Sequence, residues 1–268
     1  MPHIQVNGAN IYYEEQGTGK ETIVFAHGLL WSGKLYEQQV KVLKEHYRCI
    51  TFDFRGQGQS EATQDGYDMD TLCKDAAELI KKLNAVPCHF VGLSMGGFVG
   101  MRLAFRYPEL LKSLILMETS ADPEPQENIG RYKLLNFVVG LFGFGLIIGQ
   151  VMPIMFGKKF LDDPNRAELK AEMKRRILSN RKSITRAVKG VIERNGVYEE
   201  IRQIKTPTLI IVGDQDTATV PAKSERINQQ IAGSKLVVIA GAGHTSTIEE
   251  PEKVNQVLIE FLGSNKQL

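Results

Sequence analysis

The chain has 268 residues, which bounds it to one large α/β domain or two smaller ones. It is 43% hydrophobic and 24% charged, an ordinary globular composition, and a net charge of +2 is too small to argue for a nucleic-acid partner. Three cysteines, Cys49, Cys73 and Cys88, without C-x-x-C spacing argue against a disulfide framework or a zinc site. They read as small buried hydrophobes. The first residues, Met1-Pro2-His3-Ile4-Gln5, lack the basic and apolar regions of a signal peptide, so the expected location is cytoplasmic.

In chain order, strands are expected at 4–6 and 10–15, joined at the hairpin dipeptide Asn7-Gly8. The continuous apolar run 22–26 predicts a central strand covered on both faces, ending at His27-Gly28-Leu29-Leu30. A helix is expected over 35–46, with Leu35, Val40 and Leu43 inward. A strand at 48–52 runs into the glycine-punctuated loop Asp53-Phe54-Arg55-Gly56-Gln57-Gly58-Gln59-Ser60. An amphipathic helix follows over 70–83. A buried strand opens at Cys88, a helix follows from about Phe98 to Tyr107-Pro108, and Leu114 to Met117 form the next strand.

The strand–helix alternation lapses after Asp122-Pro123-Glu124-Pro125 and resumes with a strand at 207–212, a helix over 222–231, a strand at 235–239 and a helix over 251–262. The expected architecture is a mostly parallel sheet flanked by helices, with a core of residues 1–121 and 199–268 and a helical cap inserted over 122–198. Within the insertion, Leu134 to Phe156 is 23 residues without a charge, long enough to span a bilayer. Five glycine or proline interruptions, and two halves of one fold that must meet on one side of any membrane, favour an apolar lid instead. Residues 166–194 carry ten Lys or Arg against three Glu. They read as the solvated face of cap helices, with Ile177, Leu178, Ile184, Val188 and Ile192 inward.

Gly92-Leu93-Ser94-Met95-Gly96 matches G-x-S-x-G between the strand from Cys88 and the following helix. Such a turn leaves Ser94 at a strained apex, and Gly92 and Gly96 remove Cβ atoms that would collide there. The amide of Met95 lies at a helix N-terminus, suited to a developing anion. A serine needs an adjacent base. Among five histidines, His244 in Ala240-Gly241-Ala242-Gly243-His244 directly follows a strand at its carboxyl end, where ligands collect in open α/β sheets. His3, His46 and His89 read as structural or exposed. The acid is sought between Ser94 and His244. Gly213-Asp214-Gln215-Asp216 offers two carboxylates, of which Asp216 lies further out and Asp214 can instead cap the loop. A second oxyanion donor is expected from the amide of Leu29, after His27-Gly28.

Five landmarks in this order, His27-Gly28, the 53–60 loop, Gly92 to Gly97, Gly213 to Asp216 and Gly243-His244, resemble the α/β-hydrolase superfamily over nearly the whole chain. The resemblance implies that the last Asp of G-x-x-D, Asp216, is the acid, and that Asp53 and Arg55 are structural. Within the superfamily, the elbow and His244 to Glu252 are similar to the 3-oxoadipate enol-lactonase and small carboxylesterase branches. The expected reaction is two-step acyl transfer on a small-molecule ester or lactone. It needs no metal or other cofactor. The uncharged insertion predicts an apolar substrate. The alternatives are an enol-lactonase or C–C hydrolase with an anionic substrate, whose basic pocket residue is unassigned, and a hydrolase-fold receptor with little turnover.

Overall fold

The computed structural model describes residues 2–264. Its centre is a sheet of eight strands, in the order β1 (His3–Val6), β2 (Ala9–Gln16), β4 (Arg48–Phe52), β3 (Thr22–Ala26), β5 (Cys88–Leu93), β6 (Leu111–Met117), β7 (Thr208–Gly213) and β8 (Lys235–Ile239). The β1–β2 and β2–β4 pairs are antiparallel and all others parallel. The first pair turns at Asn7 and Gly8, both at positive φ, as a tight hairpin requires.

Alternate residues of the parallel strands enter two separate cores. Phe90, Leu114 and Leu116 face α2 (Met69–Lys82), α3 (Met95–Arg106) and α9 (Pro221–Gln230). Val91, Ile115 and Met117 face α1 (Glu37–Leu43) and α11 (Pro251–Ser264). Strands covered on both faces explain the continuous apolar runs. The element expected over 35–46 begins as a 3-10 turn, Gly33–Tyr36, before α1. The amide of Gly33 donates to the buried Asp53 carboxylate at 2.7 Å, which holds this stretch against the loop after β4.

Between β6 and β7 the chain forms α4 (Gln126–Phe142), α5 (Ile148–Met155), α6 (Lys158–Asp162), α7 (Ala167–Leu178) and α8 (Ile184–Ile192). The uncharged stretch is divided between two environments. Val139, Phe144, Ile147 and Val151 are buried, whereas Leu134, Phe137, Leu141, Phe142 and Leu146 are exposed. Ile177, Ile184 and Ile192 point inward as expected; Leu178, at the end of α7, is 40% exposed and does not. Among the described residues, no helix is long and apolar enough to cross a membrane. The short helix α10 (Ser246–Glu249) lies between β8 and α11.

Register positions the functional end. Ala26 pairs with Gly92, Leu93 with Met117, Met117 with Ile211, and Gly213 with Ile239. The loops after β3, β5, β6, β7 and β8 therefore leave the sheet side by side. Strands β4 and β5 lie on opposite sides of β3, so the chain reverses there, the switch point at which open α/β sheets form a crevice.

Away from this end, Arg55 and Asp75 form a buried two-pronged ion pair, both contacts at 2.7 Å. Arg55 also donates to the Asn7 carbonyl, tying the 53–60 loop and α2 to the first hairpin. Removing one partner of such a pair leaves the other charge buried, at a cost of about 3–5 kcal/mol. Arg55→Leu should lower the unfolding free energy by that much while leaving the cavity described below intact. A loss under about 1 kcal/mol in urea unfolding would contradict it.

Candidate active site

Ser94 sits between β5 and α3 with φ 52° and ψ −109°. A Cβ on Gly92 would stand 2.3 Å from the Gly96 carbonyl oxygen, and one on Gly96 would stand 2.0 Å from that of Ala26, so both positions require glycine. Three hydrogen bonds hold the strained apex: Ser94 N to Met117 O (2.8 Å), Thr119 Oγ1 to Ser94 O (2.8 Å) and Phe98 N to Ser94 O (3.0 Å). Met95 begins α3, so its amide has no acceptor within the helix.

The loop after β3 is set by His27. Its Nε2 accepts from Phe54 N at 3.0 Å, so the proton is on Nδ1, which donates to Gly28 O at 2.7 Å. Burial pushes the His27 pKa below its usual value, keeping the ring neutral. Trp31 N donates to the same Gly28 carbonyl at 3.3 Å. In a planar trans peptide the amide of Leu29 must then point the opposite way. Leu30 is held at φ 71° by Gln57 Oε1, which accepts its amide, and by Asn180 Nδ2, which donates to its carbonyl, both at 3.0 Å. Gln57 also donates to Met95 Sδ at 3.8 Å, linking this loop to the start of α3.

His244 Nδ1 lies 2.9 Å from Asp216 Oδ2 and 3.1 Å from Oδ1. The Asp216 side chain is fully buried and also accepts from Ala218 N (2.8 Å), Thr219 N (3.0 Å) and Thr219 Oγ1 (2.8 Å). Asp214 faces away and accepts from Gly241 N at 2.7 Å, shaping the turn after β8. The structure thus brings Asp216, and not Asp214, to His244. Ser94, His244 and Leu29 line one cavity of about 150 Å³, whose remaining wall is mostly hydrocarbon from α4, α5 and α8. His89 is buried away from it against Ser113. The three cysteines are buried, and burial pushes each thiol up to about 12.

Two further carboxylates lie beside the His244 loop. Glu249 accepts from the amides of Gly243 (3.0 Å) and Thr245 (3.1 Å), the residues flanking His244, and from Gly157 at 2.8 Å. It fixes the histidine's backbone and joins it to the chain between α5 and α6. Its sequence signal is one Glu of the pair Glu249-Glu250, five residues after His244, too common to single out. Glu118 follows β6 at φ 40°, fully buried, and neither oxygen has a hydrogen-bond partner of good geometry. Burial pushes its carboxyl well above the usual range; the nearby Asp216 and Glu249 carboxylates add to this, and the Ser246 hydroxyl opposes it only in part.

Residues 23–257 match the Alpha/beta hydrolase family, and the chain belongs to it. It is similar to the 3-oxoadipate enol-lactonase 1 of Acinetobacter baylyi, 26% identical over 97% of this chain and 92% of that one. Among solved structures, a thermophilic esterase from Thermogutta terrifontis superposes with TM-score 0.91 at 27% identity, covering 99% of both chains. The enol-lactonase from Burkholderia xenovorans superposes with TM-score 0.90 at 26% identity, over 98% of this chain and 100% of that one.

Glu118 generates a pH prediction. A carboxyl held protonated in the folded state must ionise on unfolding above its ordinary pKa, so its contribution to stability falls as pH rises. Glu118→Gln keeps the shape without that proton. The variant should gain stability relative to wild type as pH rises from the ordinary carboxylate range through neutrality. Parallel stability curves across that range would show that Glu118 does not bind the extra proton. Glu249→Gln turns an acceptor into a donor facing amides, so it should cost about 1–3 kcal/mol in unfolding experiments.

Proposed function

We propose that the protein is a serine hydrolase that cleaves carboxylic esters or lactones of small, largely apolar substrates through an acyl-enzyme. The observation that carries this reading is that Ser94, on its strained turn, and the Asp216-bound imidazole of His244 line one apolar cavity. With Nδ1–H engaged by Asp216, His244 Nε2 is the base that takes the Ser94 proton as Oγ attacks the carbonyl carbon. The carbonyl π electrons move to oxygen, and the amides of Leu29 and Met95 receive that oxyanion. His244 then gives its proton to the leaving alcohol. Water, deprotonated by the same imidazole, releases the acid and frees Ser94. Asp216 holds the tautomer and steadies the imidazolium.

In this reading Gly28, Gly92 and Gly96 serve the close backbone approaches, and residues 122–198 are a lid domain on a core of 1–121 and 199–268. The buried, unpaired cysteines support a reducing compartment. The likeness to an esterase and to enol-lactonases supports acyl chemistry. A second reading, a lactone that carries a carboxylate, draws on those enol-lactonases and requires a cation in the cavity wall. An apolar cavity of comparable volume in another protein takes a ligand the size of benzene, so the acyl group here should be short.

The test is hydrolysis of p-nitrophenyl esters from acetate to decanoate by wild type and Ser94→Ala. Activity should peak at short chains and kcat should fall about a million-fold in the variant. Hydrolysis that survives Ser94→Ala would overturn the assignment. A peak at decanoate would overturn the size argument alone.

A further inference from the structure

The helical segment presents an apolar face to solvent. Among the described residues eleven large hydrophobic side chains are exposed, and five of them fall between positions 134 and 146: Leu134, Phe137, Leu141, Phe142 and Leu146, each more than half exposed. The other six lie singly along the chain. Every exposed position from 134 to 149 is Leu, Phe or Gly. Leu134, Phe137 and Leu141 form one stripe of α4 at helical spacing. The cavity wall does not use this stripe, because Leu135, Val139, Phe144, Ile147 and Val151 supply that lining from the other side of the same segment. Soluble proteins seldom leave so concentrated an apolar patch in water unless something covers it.

The charge around the patch says what covers it. Residues 122–198 carry 14 Lys or Arg against eight Asp or Glu, a net +6, which leaves −4 on the rest of a chain whose total is +2. The helical segment is therefore the positive pole of the molecule. Cations also stand at the patch itself. Arg131 and Lys133 are exposed on α4 just before Leu134. Lys182, just before α8, donates from Nζ to the Leu141 carbonyl at 2.7 Å, a neutral acceptor that leaves the ammonium charge uncompensated at the edge of the patch.

A second copy of this chain is a poor cover. A two-fold contact through the patch would set the cations of one copy beside the same cations of the other. An anionic leaflet is complementary: its headgroups meet Arg131, Lys133 and Lys182 while the Leu and Phe side chains enter the acyl boundary. We propose that this face of the helical segment docks on a membrane surface rich in anionic phospholipid. The charge of the segment orients the approach, and the apolar side chains hold the contact. Docking needs no membrane span and does not depend on the chemistry at Ser94. It sets the segment between the lipid and the apolar cavity that its other side lines.

The test is co-sedimentation with vesicles of phosphatidylcholine alone and of phosphatidylcholine containing one-third phosphatidylserine. Wild type should bind the mixed vesicles at least tenfold more tightly, and the difference should shrink as salt is raised. The pair Phe137→Gln with Phe142→Gln should weaken binding to mixed vesicles at least tenfold. Leu134→Gln with Leu146→Gln repeats the test from the two ends of the patch. Lys133→Gln with Lys182→Gln should remove most of the preference for phosphatidylserine, since one cation at such a surface strengthens binding about fivefold. Urea midpoints matching wild type separate loss of the face from loss of the fold. Failure to bind mixed vesicles, equal binding to both kinds, or binding unchanged in both apolar pairs would each overturn the proposal. A dimer in light scattering that Phe137→Gln with Phe142→Gln abolishes, without vesicle binding by wild type, would assign the face to a second copy and overturn it as well.

Discussion

The structure depends on how closely α3 approaches the end of β3. The first turn of α3 must pass so near the Ala26 carbonyl that no Cβ fits at Gly96, and the preceding backbone must fold back so sharply that none fits at Gly92. Ser94 is caught between them at φ 52°, a conformation that costs about 1–3 kcal/mol for a non-glycine residue. Its own amide and carbonyl are pinned by β6 and Thr119, and Phe98 continues the helix from it. Hydrogen bonds of about 1 kcal/mol each are enough to offset the strain. The surroundings over-determine the turn, and the hydroxyl is fixed as a consequence.

Three acids lie near one another beside the His244 loop, and their surroundings make them different. Asp216 accepts from three protein donors besides the ring, so burial leaves it well solvated by protein. Glu249 takes three amides and acts on backbone rather than on the ring; burial still outweighs those amides and raises its carboxyl. Glu118 has no hydrogen-bond donor of good geometry, and burial raises its carboxyl well above the usual range. Placing three charges this close in a buried site would be costly. Protonating the least solvated of them removes the repulsion while leaving the Asp216–His244 contact intact.

Much of this is legible in the sequence. Continuous apolar runs marked the strands because a doubly covered sheet leaves no polar face, and the glycines around Ser94 and before His244 marked turns that side chains would block. Position along the chain favours Asp216 over Asp214, but both follow β7 and only the turn decides which side chain faces the pocket. Leu178 was misjudged because helical periodicity carries no information on where α7 stops covering its neighbour. The uncharged stretch 134–156 hid a division into inward and outward faces, since both are apolar and no alternation reveals the boundary. Glu124 with Arg194, 70 residues apart, were invisible for another reason: their meaning lies only in their pairing.

That pairing also explains how the helical segment is joined to the sheet. Glu124 precedes α4 and Arg194 follows α8, so their contact closes the neck through which the helical segment leaves and rejoins the sheet. The neck is further sealed by Val197 N to Ala121 O at 2.7 Å and by Arg102 Nη2 to Asn195 O at 2.8 Å. By contrast, α4 makes no hydrogen bond or ion pair outside residues 122–198 among the described residues, whereas the chain around α5 and α6 is tied to the His244 loop through Glu249 and Thr245. The guanidinium therefore stands at the tied end of the helical segment. Parting the two ends would leave both charges buried without a partner, so the pair fixes where the helical segment joins the core.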